Sequence, residues 1–251
     1  MYKKFISTVL LTVLCSSVSF ADLLTLQATI RDFHSSHPDM ESTVAFDPGI
    51  VETTLGPDGK PVYAGESGNP TTHGEDAFNQ WYNDVSGINS GTTYDLVLDN
   101  TITSNPDVYT FNDNSFFPID NQLFGNEGNT HNYHFTLELN SKFTYQGGEE
   151  FSFTGDDDLW LFIDNELVID LGGVHAAMSE SVNLDDLGLT VGENYNFNLF
   201  FAERHTSQSN FKISTSILLE NNVPEPSSAI LIVIGLFNLA GFASLRKKLF
   251  L

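Results

Sequence analysis

An all-β fold is what this sequence predicts: a single antiparallel β-barrel or β-sandwich with long loops, flanked by two terminal segments outside it. Three observations carry the expectation. The chain holds 21 Phe and 8 Tyr, and strands favour aromatic residues. Its second half alternates apolar and polar residues at period two in several short runs joined by short turns. The stretches between, above all 47–74 and 112–130, are rich in Gly, Asn, Asp, Pro and Thr, as turns and loops are.

In chain order, residues 24–33 read as an edge strand. Residues 47–74 read as loop, and 74–82 as one short helix. Residues 112–130 read as a long surface loop, the kind of segment that carries binding residues on a β scaffold. Residues 135–139 and 151–153 then alternate. Residues 159–163, Leu-Trp-Leu-Phe-Ile, are apolar on both faces, as a fully buried strand is. Asp164-Asn165 is a turn pair leading into 166–171. Tyr195, Phe197, Leu199 and Phe201 alternate with Asn194, Asn196 and Asn198. Phe211, Ile213, Thr215 and Ile217 alternate with Lys212, Ser214 and Ser216. The roughly 200 residues of the body can bury one core without staples. No repeat recurs at a fixed period.

The two ends read as addresses. Residues 1–21 have the form of a secretory signal peptide: Lys3 and Lys4, an apolar run over 5–14, and Ser19-Phe20-Ala21 with small residues at −3 and −1. The single Cys, Cys15, follows Leu14 rather than the small residue of a lipoprotein signal. It would leave with the signal, so no disulfide framework or Cys-based zinc site is available. At the other end, Val223-Pro224-Glu225-Pro226-Ser227-Ser228 precedes an apolar run over 229–245, near the lower limit for a membrane-spanning helix, and Arg246-Lys247-Lys248 closes it. The basic cluster places that end in the cytoplasm and the body outside the inner membrane.

This three-part end, 223–251, resembles the PEP-CTERM sorting signal of Gram-negative bacteria. The resemblance implies that Pro224, Glu225 and Pro226 are read by a membrane exosortase. It also implies an association with exopolysaccharide and biofilm matrix. A plain membrane anchor is the alternative, in which the protein stays tethered.

Charge narrows the function classes. The formal charge is −23, which excludes ordinary nucleic-acid binding. Residues 22–222 keep five cations (Arg31, Lys60, Lys142, Arg204 and Lys212) against 32 acids, a formal charge of −27. Self-repulsion on that scale is what bound cations relieve. Motifs of hydrolases, zinc proteases, redox dithiols and phosphate-binding loops do not occur, and no enzymatic activity is expected.

The sharpest local feature is Gly155-Asp156-Asp157-Asp158, directly before the most apolar strand. Three adjacent carboxylates either face open water or share a cation. Calcium takes six to eight oxygen ligands, of which adjacent carboxylates supply several. The run 151–170 with Leu171-Gly172-Gly173-Val174-His175 resembles the fibro-slime domain, a relative of the protective-antigen family of carbohydrate-binding β-barrels. Further matches are Arg31-Asp32-Phe33, residues 54–61 (Thr-Leu-Gly-Pro-Asp-Gly-Lys-Pro), Phe78-Asn79-Gln80-Trp81-Tyr82 and Phe116-Phe117-Pro118-Ile119-Asp120. Others are Asn132-Tyr133-His134-Phe135, residues 143–148, residues 200–206 and Asn210-Phe211, so the resemblance spans about 24–220. It implies a calcium site at two consecutive Asp residues joined by a cis peptide, with the calcium in turn holding sugar hydroxyls. The pair falls on Asp156 and Asp157. Asp158 stands where many relatives have Gly, which leaves Asp157-Asp158 open, and Asn and Asp residues over 112–129 are candidates for the remaining ligands.

Other polar residues have structural readings. His175 is expected to bond backbone and shape a turn. His131 and His134 fall on opposite faces of a strand, which disfavours a shared zinc. Glu203 and Arg204 read as a structural pair, Trp160 as core, and Trp81 and Tyr82 as candidates for sugar stacking. The sequence therefore predicts an exported cell-surface or matrix protein. Its 22–222 domain would bind polysaccharide through calcium at Asp156, Asp157 and Asp158, with a non-lectin matrix component as the alternative and a carbohydrate-active hydrolase as the third, less favoured reading.

Overall fold

The period-two runs pair into one rolled antiparallel sheet. A computed structural model of the chain describes residues 23–65 and 69–220. The signal segment over 1–21 and the sorting end over 223–251, with Pro224, Glu225, Pro226 and the apolar run 229–245, lie outside those residues.

The strands are β1 (Leu23–Phe33), β2 (Ala45–Phe46), β3 (Asn89–Asp99), β4 (Tyr109–Asp113), β5 (Phe135–Thr144), β6 (Glu150–Asp156), β7 (Asp158–Ile163), β8 (Glu166–Leu171), β9 (Gly173–Val174), β10 (Met178–Asn183), β11 (Asn194–Glu203) and β12 (Asn210–Thr215). Ten of them form one sheet in the order β10-β6-β12-β4-β3-β1-β5-β11-β7-β8. The edge strands β8 and β10 approach each other, so the sheet is a nearly closed barrel. β2 and β9 form a separate two-stranded ribbon.

Alternation fills the barrel. Leu24, Leu26, Ala28 and Ile30 of β1 point inward with Leu137 and Leu139 of β5, Phe151 and Phe153 of β6, and Phe197, Leu199 and Phe201 of β11. β7 is buried on both faces, as its sequence predicts. Leu159, Leu161 and Ile163 face the barrel interior. Trp160 and Phe162 face outward with Phe200 and Ala202, under a second layer of Ile50, Val51, Phe78, Trp81 and Tyr82. The irregular first half of the chain is thus the cover over β7 and β11. A buried Glu138 on the outer side of β5 anchors that cover, taking Arg31 at 2.9 Å and Lys60 from the 56–60 turn.

Four expectations change. β1 is a central strand, paired along its length with β3 and over residues 29–32 with β5. The helix spans only Glu75–Phe78, because the chain then turns to bring Trp81 and Tyr82 onto the outer face of β7 and β11 as part of the second layer. These two side chains are fully buried, so they offer no surface for sugar stacking. The 112–130 stretch begins inside β4, and its loop drives Phe116 and Ile119 into the barrel.

Registers define two poles. Asp32, Phe135, Glu203, Asp156 and Asn210 meet at one. Leu23, Asp99, Thr144 and Asn194 meet at the other, where Glu220 also bonds Lys142. Both ends of the described chain therefore leave from the pole opposite the Asp156–Asp158 corner.

Candidate functional site at the Asp156–Asp158 corner

β6 pairs with β10 and β12, whereas β7 pairs with β11 and β8. Between them the chain turns a corner at Asp156-Asp157-Asp158, with the cis peptide at Asp156-Asp157. The three adjacent carboxylates have different hydrogen-bond partners, and all three are buried.

Asp158 points to the fold's interior. Its carboxylate is forked by Arg204, with Nε at 2.6 Å and Nη2 at 3.0 Å, and also accepts the Gly173 N–H at 2.6 Å. Arg204 is itself fully buried. It donates to the carbonyls of Thr71 and Asp39 and lies 4.7 Å over the Trp81 ring. The register explains the match, since Ala202 stands opposite Asp158 and the next residues of β11 reach across. Arg204 thus pairs with Asp158 and not with Glu203. Asp158 thus has its charge balanced by a buried guanidinium, which neither Asp156 nor Asp157 has.

Asp156 and Asp157 are held differently. Asp156 accepts the Asn210 N–H at 2.6 Å and its side-chain amide at 2.8 Å. Asp157 accepts backbone N–H groups from His175 (3.2 Å) and Arg204 (3.1 Å). His175 turns its ring to the carbonyls of Ala176 and Leu171, the backbone role expected of it. These bonds orient both carboxylates without neutralising them. Burial pushes the Asp157 carboxyl up to about 8, the Asp158 charge adds to it, and Arg204 offsets only part. Burial also raises Asp156.

Glu203, expected from the sequence to pair with Arg204, completes the imbalance. It is fully buried beside Asp157, and its Oε2 has no hydrogen-bond partner. Burial, then the Asp157 charge, push its carboxyl well above the usual range. The corner therefore brings the buried carboxyl groups of Asp156, Asp157, Asp158 and Glu203 around one guanidinium that is already paired. Such a site holds protons or a cation.

The donors here are oxygens, which suits calcium or another hard cation. Among the described residues, no three His, Cys, Asp or Glu side chains converge at metal-ligand spacing. A calcium here would rest on Asp156 and Asp157 and draw its other ligands from neutral oxygens. Within the 112–129 loop, Asp113 accepts the Ser115 N–H, Asp120 meets His131 and accepts the Asn132 N–H, and Asn126 accepts the Asn121 N–H and donates to the Thr130 carbonyl.

Loops around the pole are laced by His–Glu contacts. Glu41 accepts from Thr206 and meets His134 at 2.8 Å, and Glu127 meets His34 at 2.7 Å and accepts from Ser35. His131 and His134 thus go to different carboxylates, Asp120 and Glu41.

Comparison with known proteins follows the same region. The family model described as PA14 domain matches residues 103–227, which include the corner and strands β4 to β12. Three relatives from Dictyostelium discoideum cover most of the chain. Protein psiR is 42% identical over 77% of it, protein psiD 42% over 78%, and protein psiC 41% over 78%. The chain spans only 21%, 42% and 41% of their lengths, respectively. Among solved structures, a PA14 sugar-binding domain from an RTX adhesin is 10% identical, over 45% of this chain and 75% of that one, at a TM-score of 0.30. The epithelial adhesin 9 A domain of Candida glabrata, in complex with Galb1-4GlcNAc, is 13% identical over 81% and 85%, at 0.33. At those scores the structures bear on neither fold nor ligand.

Proposed function

We propose that this chain is an exported cell-surface or matrix protein whose barrel binds glycan through calcium held by Asp156 and Asp157. The observation that carries the reading is the cluster of buried carboxyl groups without a cation at the pole. Asp156, Asp157 and Glu203 are buried with no cation of their own, because the one guanidinium present is forked onto Asp158.

Each residue has a part. Asn210 and the backbone of His175 and Arg204 fix the two carboxylates in place before any ligand arrives. Preorganisation of this kind lowers the ordering cost of binding. Arg204 holds Asp158 away from the site and joins β11 to the corner. Bound at Asp156 and Asp157, calcium would supply open coordination positions for sugar hydroxyls.

Glycan as ligand class is supported by the PA14 domain match over the corner and by the resemblance of the body to carbohydrate-binding barrels. Binding rather than catalysis follows from the same ground. A strongly acidic body repels an anionic polymer unless a cation bridges the two, which makes calcium dependence the natural form of exopolysaccharide binding. Export and exosortase sorting rest on the terminal segments. The site sits at the pole opposite the one where the described chain ends, so a tether at either end would leave it facing outward.

A glycan array probed with and without chelator tests the reading. The expected result is a restricted set of glycans bound in calcium and lost both in chelator and in Asp156→Asn/Asp157→Asn. Chelator-sensitive thermal stability with no glycan bound in either state would instead make the protein a non-lectin matrix component.

A further inference from the structure

Beside the carboxylates lies an apolar surface that the fold leaves uncovered. Phe46 is 49% exposed and Val44 65%, and Ala176 and Ala177 are exposed next to them. A lone exposed Phe is ordinary on a protein surface. This one is held on a rigid support. β2 pairs with β9 at Ala45–Val174 and Phe46–Gly173, and the Asp47 N–H bonds the Gly172 carbonyl at 2.7 Å. The buried Asp47 carboxylate takes Asn69 at 2.7 Å and the Thr71 N–H and hydroxyl at 3.1 and 2.7 Å.

The ribbon also depends on glycine. Gly173 has φ +111, and a Cβ there would lie 2.3 Å from the Ala45 carbonyl. Gly173→Ala is therefore expected to release the ribbon and lower the melting temperature by several degrees.

The support aims Phe46 toward the corner. Its ring meets the His175 ring edge-on at 5.7 Å, and the His175 N–H bonds Asp157 at 3.2 Å. His175 thus links the exposed ring to the corner, its side chain touching Phe46 and its backbone N–H bonding Asp157. Aromatic faces accept the apolar C–H face of a pyranose, while its hydroxyls need oxygen or metal partners.

We infer that Phe46, with Val44 and the Ala176-Ala177 turn, forms the apolar floor on which a pyranose ring stacks while its hydroxyls reach the Asp156–Asp157 site. The inference rests on the glycan reading above and adds the element that distinguishes sugars by their apolar face.

The test uses the full chain with methyl glycosides of galactose, mannose, glucose and fucose, measured by saturation-transfer NMR and calorimetry in calcium. Calcium affinity is measured separately without sugar. Phe46→Ala should weaken sugar binding about tenfold and leave calcium affinity within about twofold, while Phe46→Trp should bind at least as tightly as the wild type. Saturation transfer to the ring C–H protons should fall in Phe46→Ala. Sugar affinity unchanged in Phe46→Ala but lost in Asp156→Asn would overturn the stacking floor and leave the glycan reading standing. Calcium affinity falling together with sugar affinity in Phe46→Ala would overturn it too, by making Phe46 a support of the metal site. Failure of the wild type to bind any of the four glycosides in calcium would overturn both.

Discussion

Arg204→Met should unfold this domain more readily than any other single substitution at the pole, by about 3–5 kcal/mol. The guanidinium is buried, forked onto Asp158, bonded to two carbonyls and seated over Trp81. Met keeps much of the volume but removes the charge. Asp158, Asp157 and Glu203 would then be buried without a compensating cation. A domain of this size moves by about 2–4 °C per kcal/mol, so the melting temperature should fall by roughly 6–20 °C. Arg204→Met/Asp158→Leu should recover part of the loss, because the double variant leaves no orphaned charge from the pair. A single variant within about 1 kcal/mol of the wild type would mean that the pair is not what joins the two layers.

Calcium affinity should depend steeply on pH below about 8. In the folded, metal-free protein burial holds the Asp157 carboxyl up at about 8, against 3.8 for the free group. The folded pKa is raised, so this group favours the folded state below pH 4, and that contribution is lost as pH rises through 8. Calcium needs the ionised carboxylate and so must displace the proton. Apparent affinity should then fall by about tenfold per pH unit for each proton displaced. Titrations at pH 7.5 and 6.5 should differ by that factor or more, since Glu203 is also raised. The same linkage predicts that metal-free Asp157→Asn is more stable than the wild type at pH 8, where the wild type begins to carry the buried charge. Calcium affinity flat between pH 6 and 8 would remove Asp157 from the site.

The barrel strands of the second half were legible because period two is written in side chains that face either the core or solvent. β12 and the inward face of β11 follow their alternation residue by residue. β7, apolar on both faces, also implied a second layer. Trp81 and Tyr82 could have been assigned to that layer, since two-sided burial requires a cover. Whether β1 lies at an edge or in the centre is decided by its partners, β3 and β5, and not by its own residues. β3 carried a usable signal in Tyr94, Leu96 and Leu98, whereas β10, the edge strand Met-Ser-Glu-Ser-Val-Asn, carried almost none.

At the site, the three Asp residues are equivalent in sequence. What separates them is Arg204, a partner 46 residues away that captures Asp158 through the β7–β11 register. The burial of Glu203 beside Asp157 arises from the same pairing. Neither follows from local pattern, because both are set by which strands become neighbours.

A calorimetric calcium titration of the full chain, wild type beside Asp156→Asn/Asp157→Asn, tests the central claim most directly. The account predicts one saturable site in the wild type, absent from the double variant, which still folds because Asp158 and Arg204 remain paired. Weak binding at many sites, equal in both proteins, would contradict it and would make the corner a structural junction with no cation of its own.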